Sequence, residues 1–182
     1  MERDRLKELI VKKCLKVADQ PVFKLSSGKL SRFYVDLKQI TFDPEGAYLV
    51  GKLMYRLVRD FKPEAVGGLT LGADPIAYSV SFVSFMEGAP IKPFVVRKEP
   101  KGHGMKRQIE GLVSAGERVA VVEDVVTTAG SSLKAVRACR EAGLEVVGVF
   151  TIVDRQEGGK ENIEEEGLEL YSLFKLSELL ET

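Results

Sequence analysis

The run Val-Ala-Val-Val at residues 119–122 leaves little freedom in the choice of fold class. An unbroken apolar run rich in β-branched residues is typical of a strand that is buried on both faces. A helical pattern follows it, with Leu133, Val136, Cys139 and Arg140 at helical spacing. A strand that is covered on both faces needs helices on both sides, so this segment predicts a parallel α/β sheet.

The rest of the chain alternates between strand and helix patterns in the same way. Predicted strands cover residues 65–69, 92–96, 119–122, 146–153 and 168–173. Predicted helices cover residues 2–18, 43–60, 76–86, 133–142 and 176–180. The first helix has Cys14 and Val17 in its apolar stripe, and Asp43 with Pro44 caps the second. These alternating units predict a Rossmann-like central parallel sheet flanked by helices.

A hairpin is predicted ahead of the main sheet. Two short β-type runs, residues 21–25 and 32–37, flank Ser26-Ser27-Gly28-Lys29, which places a glycine in the turn. The length of 182 residues fits a single domain. We therefore expect one domain over residues 1–182, in which residues 1–40 and the C-terminal tail form a small hood over a core at about 41–160.

Composition excludes several classes of partner. Lys plus Arg and Asp plus Glu are both 27, so net charge favours neither a nucleic acid nor an acidic membrane. No apolar stretch approaches the roughly 18 residues of a membrane span. Two cysteines without a CxxC pair, and the lack of an apolar N-terminal signal, predict a reduced, cytosolic protein. A single histidine, His103, excludes a His/Cys metal cage.

Acidic and small polar residues follow the buried run. Glu123 and Asp124 are expected where the strand ends, the edge at which open α/β sheets bind ligands. Residues 127–132, Thr-Thr-Ala-Gly-Ser-Ser, offer hydroxyls and backbone N–H groups ahead of a helix, which favours a phosphate. The plainer alternative is a βα loop with a solvated acidic pair. Because no GxxxxGK[ST] or GxGxxG motif occurs, the common nucleoside triphosphate and NAD sites are disfavoured.

Residues 97–108 are strongly basic and are interrupted by a proline and two glycines. They show neither helical nor strand periodicity, so we expect a mobile loop. Taken alone, such a run is most simply a solvated basic segment.

Residues 119–132 resemble the 5-phosphoribosyl 1-diphosphate (PRPP) motif of the type I phosphoribosyltransferases. Residues 23–36, 97–104 and 153–157 resemble the corresponding segments of the orotate members, so the likeness runs nearly end to end. The resemblance implies the type I phosphoribosyltransferase fold. It also implies transfer of ribose 5-phosphate from PRPP to N1 of orotate, which gives orotidine 5′-monophosphate and pyrophosphate in UMP synthesis.

Cofactor and partners follow from the same resemblance. It implies Mg²⁺ that is bound mainly through PRPP without dedicated protein ligands. It implies a cytosolic homodimer with shared active sites, to which an orotidine 5′-phosphate decarboxylase can bind.

The resemblance also assigns roles to individual residues. Catalytic roles fall on Lys101, His103, Glu123 and Asp124. PRPP is expected to contact Thr70, Leu71, Gly72, Arg97, Lys98, Lys101, His103, Glu123, Asp124, Val125, Val126, Thr127, Thr128, Ala129, Gly130, Ser131 and Ser132. Orotate is expected to contact Lys24, Ser26, Phe33, Tyr34, Thr127 and Arg155. Arg155 would pair with the orotate carboxylate, since a planar, permanently charged group suits it.

Two positions depart from the family pattern. Bacterial-type members carry a lysine where Ser26 and Leu71 stand, so Lys24 and Lys29 are expected to replace these contacts if they are made at all. Two other functions remain open. One is the same transfer to a purine or to uracil. The other is a PRPP-binding regulator without catalysis, which balanced charge and the absence of an added helix-turn-helix segment disfavour.

Overall fold

A six-stranded sheet lies at the centre of the computed structural model, which describes residues 1–25, 28–99 and 108–181. Numbered along the chain, the strands are β1 (Leu15–Val17), β2 (Phe23–Lys24), β3 (Leu30–Ser31), β4 (Phe33–Val35), β5 (Ala65–Leu69), β6 (Lys92–Val96), β7 (Ile109–Gly111), β8 (Arg118–Val126), β9 (Glu145–Asp154) and β10 (Leu170–Lys175). The sheet order is β10-β9-β8-β5-β6-β7, and all neighbours are parallel except β6 and β7. The predicted parallel α/β fold is confirmed.

Helices connect these strands. They are α1 (Glu2–Lys13), α2 (Lys38–Thr41), α3 (Pro44–Val58), α4 (Asp74–Met86), α5 (Gly130–Glu141), α6 (Gly159–Glu165) and α7 (Leu176–Leu180), with a 3-10 turn at Arg59–Phe61. Asp43 caps α3 as predicted, because its side chain accepts a hydrogen bond from the Gly46 amide at 3.0 Å. Gly143 follows α5 in the left-handed conformation that ends many helices. No helix in the described ranges is long and apolar enough to cross a membrane.

The sheet separates two apolar clusters. On one face Ile10, Met54 and Ile76, from α1, α3 and α4, pack with Phe150 of β9. On the other face α5 and α6 pack against the sheet, and Phe94 of β6 is buried with them. Residues 119–122 are fully buried, as expected for a central strand covered on both sides.

The N-terminal region differs from its prediction. α1 ends at Lys13, so Cys14 is its C-cap and Val17 belongs to β1 rather than to the helix. A hairpin does form across the predicted turn, but its second strand is β3, whereas the second predicted run contributes β4, which pairs with β1. The physical reason is tertiary: a three-residue ladder with a distant strand outweighs the weak local preference for continuing the helix.

Three further differences lie near the carboxyl end of the sheet. β8 continues to Val126, four residues beyond the predicted run. α6 was not predicted, because Ile163 is its single large apolar residue with a buried side chain. The last strand spans residues 170–175 rather than 168–173, whereas α7 has the predicted bounds.

Candidate functional site

Glu123 and Asp124 lie inside β8, not after it as the sequence suggested. They are only 6% and 9% exposed. Asp124 Oδ1 accepts a hydrogen bond from the Val125 amide at 2.8 Å, and the Thr151 hydroxyl donates to the Asp124 carbonyl at 3.0 Å. Pairing with β9 therefore continues past the acidic pair and holds its backbone rigidly.

Burial changes the acidity of Glu123. It raises the pKa of Glu123 well above the usual value, and the charge of Asp124 raises it further. Glu123 Oε1 accepts a hydrogen bond from the Asp124 amide at 3.2 Å, but Oε2 is buried without a partner in the described parts of the chain. A buried oxygen of this kind is normally satisfied by a ligand or by water.

A cation that the sequence analysis missed contacts the pair. Lys38, at the start of α2, donates to Asp124 Oδ2 at 3.1 Å. Nothing in the local sequence indicated this contact, because the two residues are 86 positions apart. Only the folding of α2 against the end of β8 brings them together.

The predicted pyrophosphate turn does lie against the acidic pair. A Cβ atom at Gly72 would lie 2.9 Å from both Asp124 Oδ1 and Glu123 Oε1, so any larger residue there would displace the two acidic side chains. The Thr70 hydroxyl donates to Asp74 Oδ2 at 2.6 Å, while the Leu71 side chain is about half exposed. The peptide bond between Thr70 and Leu71 is cis. The turn and the pair therefore share one wall of the site.

The predicted phosphate cradle forms a cavity of about 280 Å³. It is lined by Glu123, Val125, Thr127, Thr128, Ala129, Gly130, Ser131, Ser132 and Lys134. The helix begins earlier than predicted, since Gly130 is the first residue of α5. Ser132 is almost fully buried, and its hydroxyl oxygen has no partner among the described residues. Val126 is absent from the lining because its side chain is buried in the apolar core.

The unpredicted helix α6 supports this cradle from behind. The Asn162 side chain donates to the Thr128 carbonyl at 2.9 Å. A Cβ atom at Gly159 would lie 2.7 Å from the Thr127 carbonyl oxygen and 2.4 Å from Val126 Cγ1. The position of the cradle therefore depends on a close approach that only glycine permits.

Arg155 follows β9 and is almost completely buried. Its guanidinium pairs with Glu157 at 2.8 Å and donates to the Ser31 hydroxyl at 3.2 Å and the Phe33 carbonyl at 3.3 Å. The structure thus brings Arg155 and Phe33 together, as the predicted base site requires. Tyr34 follows Phe33 in sequence and is partly exposed. Its ring centroid lies 5.7 Å from that of Phe23.

The remaining predicted contacts are placed in part. Arg97 pairs with Glu110 at 3.3 Å, whereas Lys98 and Lys24 are exposed. Ser26, Lys101 and His103 lie outside the described residues.

Similarity to known proteins agrees with this geometry. A family model for the phosphoribosyl transferase domain matches residues 36–167. The fold and the site therefore define a phosphoribosyltransferase. The chain is 76% identical to an orotate phosphoribosyltransferase of Aquifex aeolicus (strain VF5), over 99% of this chain and 98% of that protein. The chain belongs to the orotate phosphoribosyltransferase family.

Solved structures show the same fold. Orotate phosphoribosyltransferase of Mycobacterium tuberculosis H37Rv superposes with a TM-score of 0.85 at 45% identity, covering 98% of this chain and 99% of that one. A structure of the same M. tuberculosis protein in complex with PRPP gives a TM-score of 0.79 at 40% identity, covering 98% and 91%.

The close packing of α6 on the cradle can be tested with Gly159→Ala. The added methyl group must displace the Thr127 carbonyl or Val126, so we expect the cradle to bind inorganic phosphate about tenfold more weakly, a loss of about 1.4 kcal/mol. Titration calorimetry measures the affinity. Lys160→Ala, at the exposed next position, is the control and should bind as the wild type does. Unchanged affinity in folded Gly159→Ala would contradict the argument.

Proposed function

We propose that this chain transfers the 5-phosphoribosyl group of PRPP to N1 of orotate, giving orotidine 5′-monophosphate and pyrophosphate in UMP synthesis. The observation that carries the proposal is the cavity at the end of β8, where Glu123 Oε2 and Ser132 Oγ are both buried without partners among the described residues. One end of this cavity offers the Glu123 carboxylate and the other a helix N-terminus. Sugar hydroxyls and a 5′-phosphate on one molecule suit these two ends.

The reaction calls for charge stabilisation rather than a side-chain nucleophile. The bond from the anomeric carbon to the diphosphate breaks, and the diphosphate leaves with the electron pair. The bond to N1 forms as N1 gives up its proton, which the departing diphosphate can accept. Positive charge grows on the ribose ring, which is why buried carboxylates at Glu123 and Asp124 lower the barrier. Thr127, Thr128 and Ser131 fix the far end of the sugar through the phosphate, so that the anomeric carbon is held in place.

Negative charge grows on the departing diphosphate. The backbone of the turn at residues 70–72 would face it, and Arg97, Lys98, Lys101 and His103 would supply positive charge and protons. The proposal includes Mg²⁺ that enters bound to PRPP, whose phosphate and hydroxyl oxygens are the hard ligands this ion prefers, without dedicated protein ligands. Partial neutralisation of the diphosphate is what the bound ion supplies there.

The nucleobase specificity can be tested directly by steady-state assays with PRPP and a panel of bases. We expect turnover of orotate and none of hypoxanthine or uracil, because Arg155 is the buried cation beside the predicted base site. Turnover of hypoxanthine or uracil without orotate would favour the alternative of another base. PRPP binding by calorimetry without turnover of any base would favour the non-catalytic regulator.

Arg155 is proposed to share its guanidinium between Glu157 and the orotate carboxylate. Arg155→Ala should therefore raise the KM for orotate at least about tenfold, while the KM for PRPP changes much less. Arg155 also binds the β3–β4 segment, so Ser31→Ala is the control that removes one of those hydrogen bonds and spares the charge. An equal rise in both KM values, or an effect matched by Ser31→Ala, would count against carboxylate binding.

We further propose that two chains associate through the exposed face of α4. Tyr78, Phe82, Phe85 and Met86 are spaced so that they share one side of this helix, and all are exposed, Phe85 to 74%. A contiguous apolar surface of this kind is typical of an interface.

We also propose that the enzyme works in the cytosol and can associate with orotidine 5′-phosphate decarboxylase.

Phe85→Glu tests the interface. A buried charge would oppose association, so sedimentation should show a dimer for the wild type and a monomer for the variant. Val22→Glu, an equally radical change at an exposed apolar residue far from α4 in sequence, should leave the dimer intact. A monomeric wild type, or a dimeric Phe85→Glu, would exclude this surface.

A further inference from the structure

Lys38 is the residue from which a further role can be inferred. Within residues 1–25, 28–99 and 108–181 it makes the one ion pair that the acidic pair of β8 has, at 3.1 Å from Asp124 Oδ2. Its neighbours anchor it firmly. Leu37 and Ile40 are fully buried, and the Lys38 amide donates to Asp36 Oδ1 at 3.2 Å. Lys38 thus lies on a short, well-packed helix, which places its ammonium group beside Asp124.

The contact with Lys38 fixes the second oxygen of the Asp124 carboxylate. Asp124 Oδ1 already accepts the Val125 amide and faces Gly72, so Oδ2 is the oxygen left to turn. Lys38 binds that oxygen while keeping 46% of its own side chain exposed. Both oxygens of Asp124 therefore have a defined direction before any substrate arrives, which reduces the reorganisation that the reaction requires.

Charge gives a second reason for this contact. Glu123 and Asp124 are adjacent, buried and of like sign, and the Lys38 charge opposes the rise in the pKa of Glu123 that burial and Asp124 cause. Burial alone lowers the pKa of Lys38, yet the charge of Asp124 and the hydrogen bond to it raise it overall. Asp124 thus favours the charged form of Lys38, and Lys38 in turn favours the charged form of Glu123.

Few other charged groups face this cluster from the described elements. Asp36 lies beside Lys38 and adds to the negative charge, as does Glu123. At the start of α4, Asp74 is engaged by the Thr70 hydroxyl. Lys134 lines the cavity from α5 but makes no ion pair with either carboxylate. Removal of Lys38 would leave the acidic pair without a bonded cation from the described part of the chain.

We propose that Lys38 is a positioning residue of the phosphoribosyl transfer, which orients Asp124 towards the ribose and keeps the acidic pair negatively charged. The inference rests on the proposed function. Its effect belongs to the chemical step, because an oriented carboxylate gains most as positive charge grows on the sugar. Lys38 acts through Asp124, and its consequences should therefore appear in kcat and in the pH dependence more than in substrate binding.

Lys38→Met and Lys38→Arg separate charge from packing. For Lys38→Met we expect kcat to fall about tenfold or more, with KM for PRPP changed by less than about threefold. Without the cation Glu123 takes up a proton more readily, so the low-pH decline of kcat/KM should move up by about one pH unit. Lys38→Arg should restore most of kcat and return the decline to its wild-type position, because the charge is kept.

The control is Gln39→Ala. Gln39 follows Lys38 in α2, and the change removes its hydrogen bond to Asp36 while Asp124 is left untouched. Its pH profile should match the wild type. Thermal melting shows that each variant is folded, and Lys38→Gln replaces Lys38→Met if the latter does not fold. An unshifted pH profile in the charge-removing variant, or an equal loss in Lys38→Arg, would overturn the role of Lys38. Absence of wild-type turnover with orotate would instead overturn the proposed function.

Discussion

Two neighbouring carboxylates buried at the end of a central strand are the constraint on which the rest of this molecule depends. Burying like charges side by side costs free energy unless opposite charge or a ligand meets them. Among the described residues the cost is offset only in part, by Lys38 on Asp124, while Glu123 Oε2 has no partner. Such an arrangement is held by the sheet, because β8 pairs with β5 up to Val121 and with β9 as far as Val126.

Close backbone approaches bring the other parts of the site up to these carboxylates. Gly72 lets the turn before α4 touch both acidic side chains, and Gly159 lets α6 touch the cradle. Gly68 in β5 serves the same end, since a Cβ there would lie 2.2 Å from the Val122 carbonyl oxygen. Glycines thus set the spacing between the elements, and side chains then supply charge and hydrogen bonds.

Local patterns predicted the elements whose stability is local. The bounds of β5, β6 and α7 agree with the sequence, and residues 127–132 line one cavity with Glu123, although the acidic pair lies inside β8 rather than after it. The pairing of β1 with β4, the helix α6 and the contact of Lys38 were missed. Each depends on a partner remote in sequence or on packing of a segment without an apolar stripe, and no local periodicity records such interactions.

The segment from Arg155 to Asn162 joins the two ends of the site. At its start, Arg155 grips the β3–β4 segment beside the predicted base site, and at its end Asn162 holds the Thr128 carbonyl of the cradle. Both contacts come from one short stretch of chain, which begins just after β9 and ends within α6. This segment therefore connects the two ends of the site directly. The length of this connection sets how far apart a base and a phosphate must be in any molecule that fills both ends together.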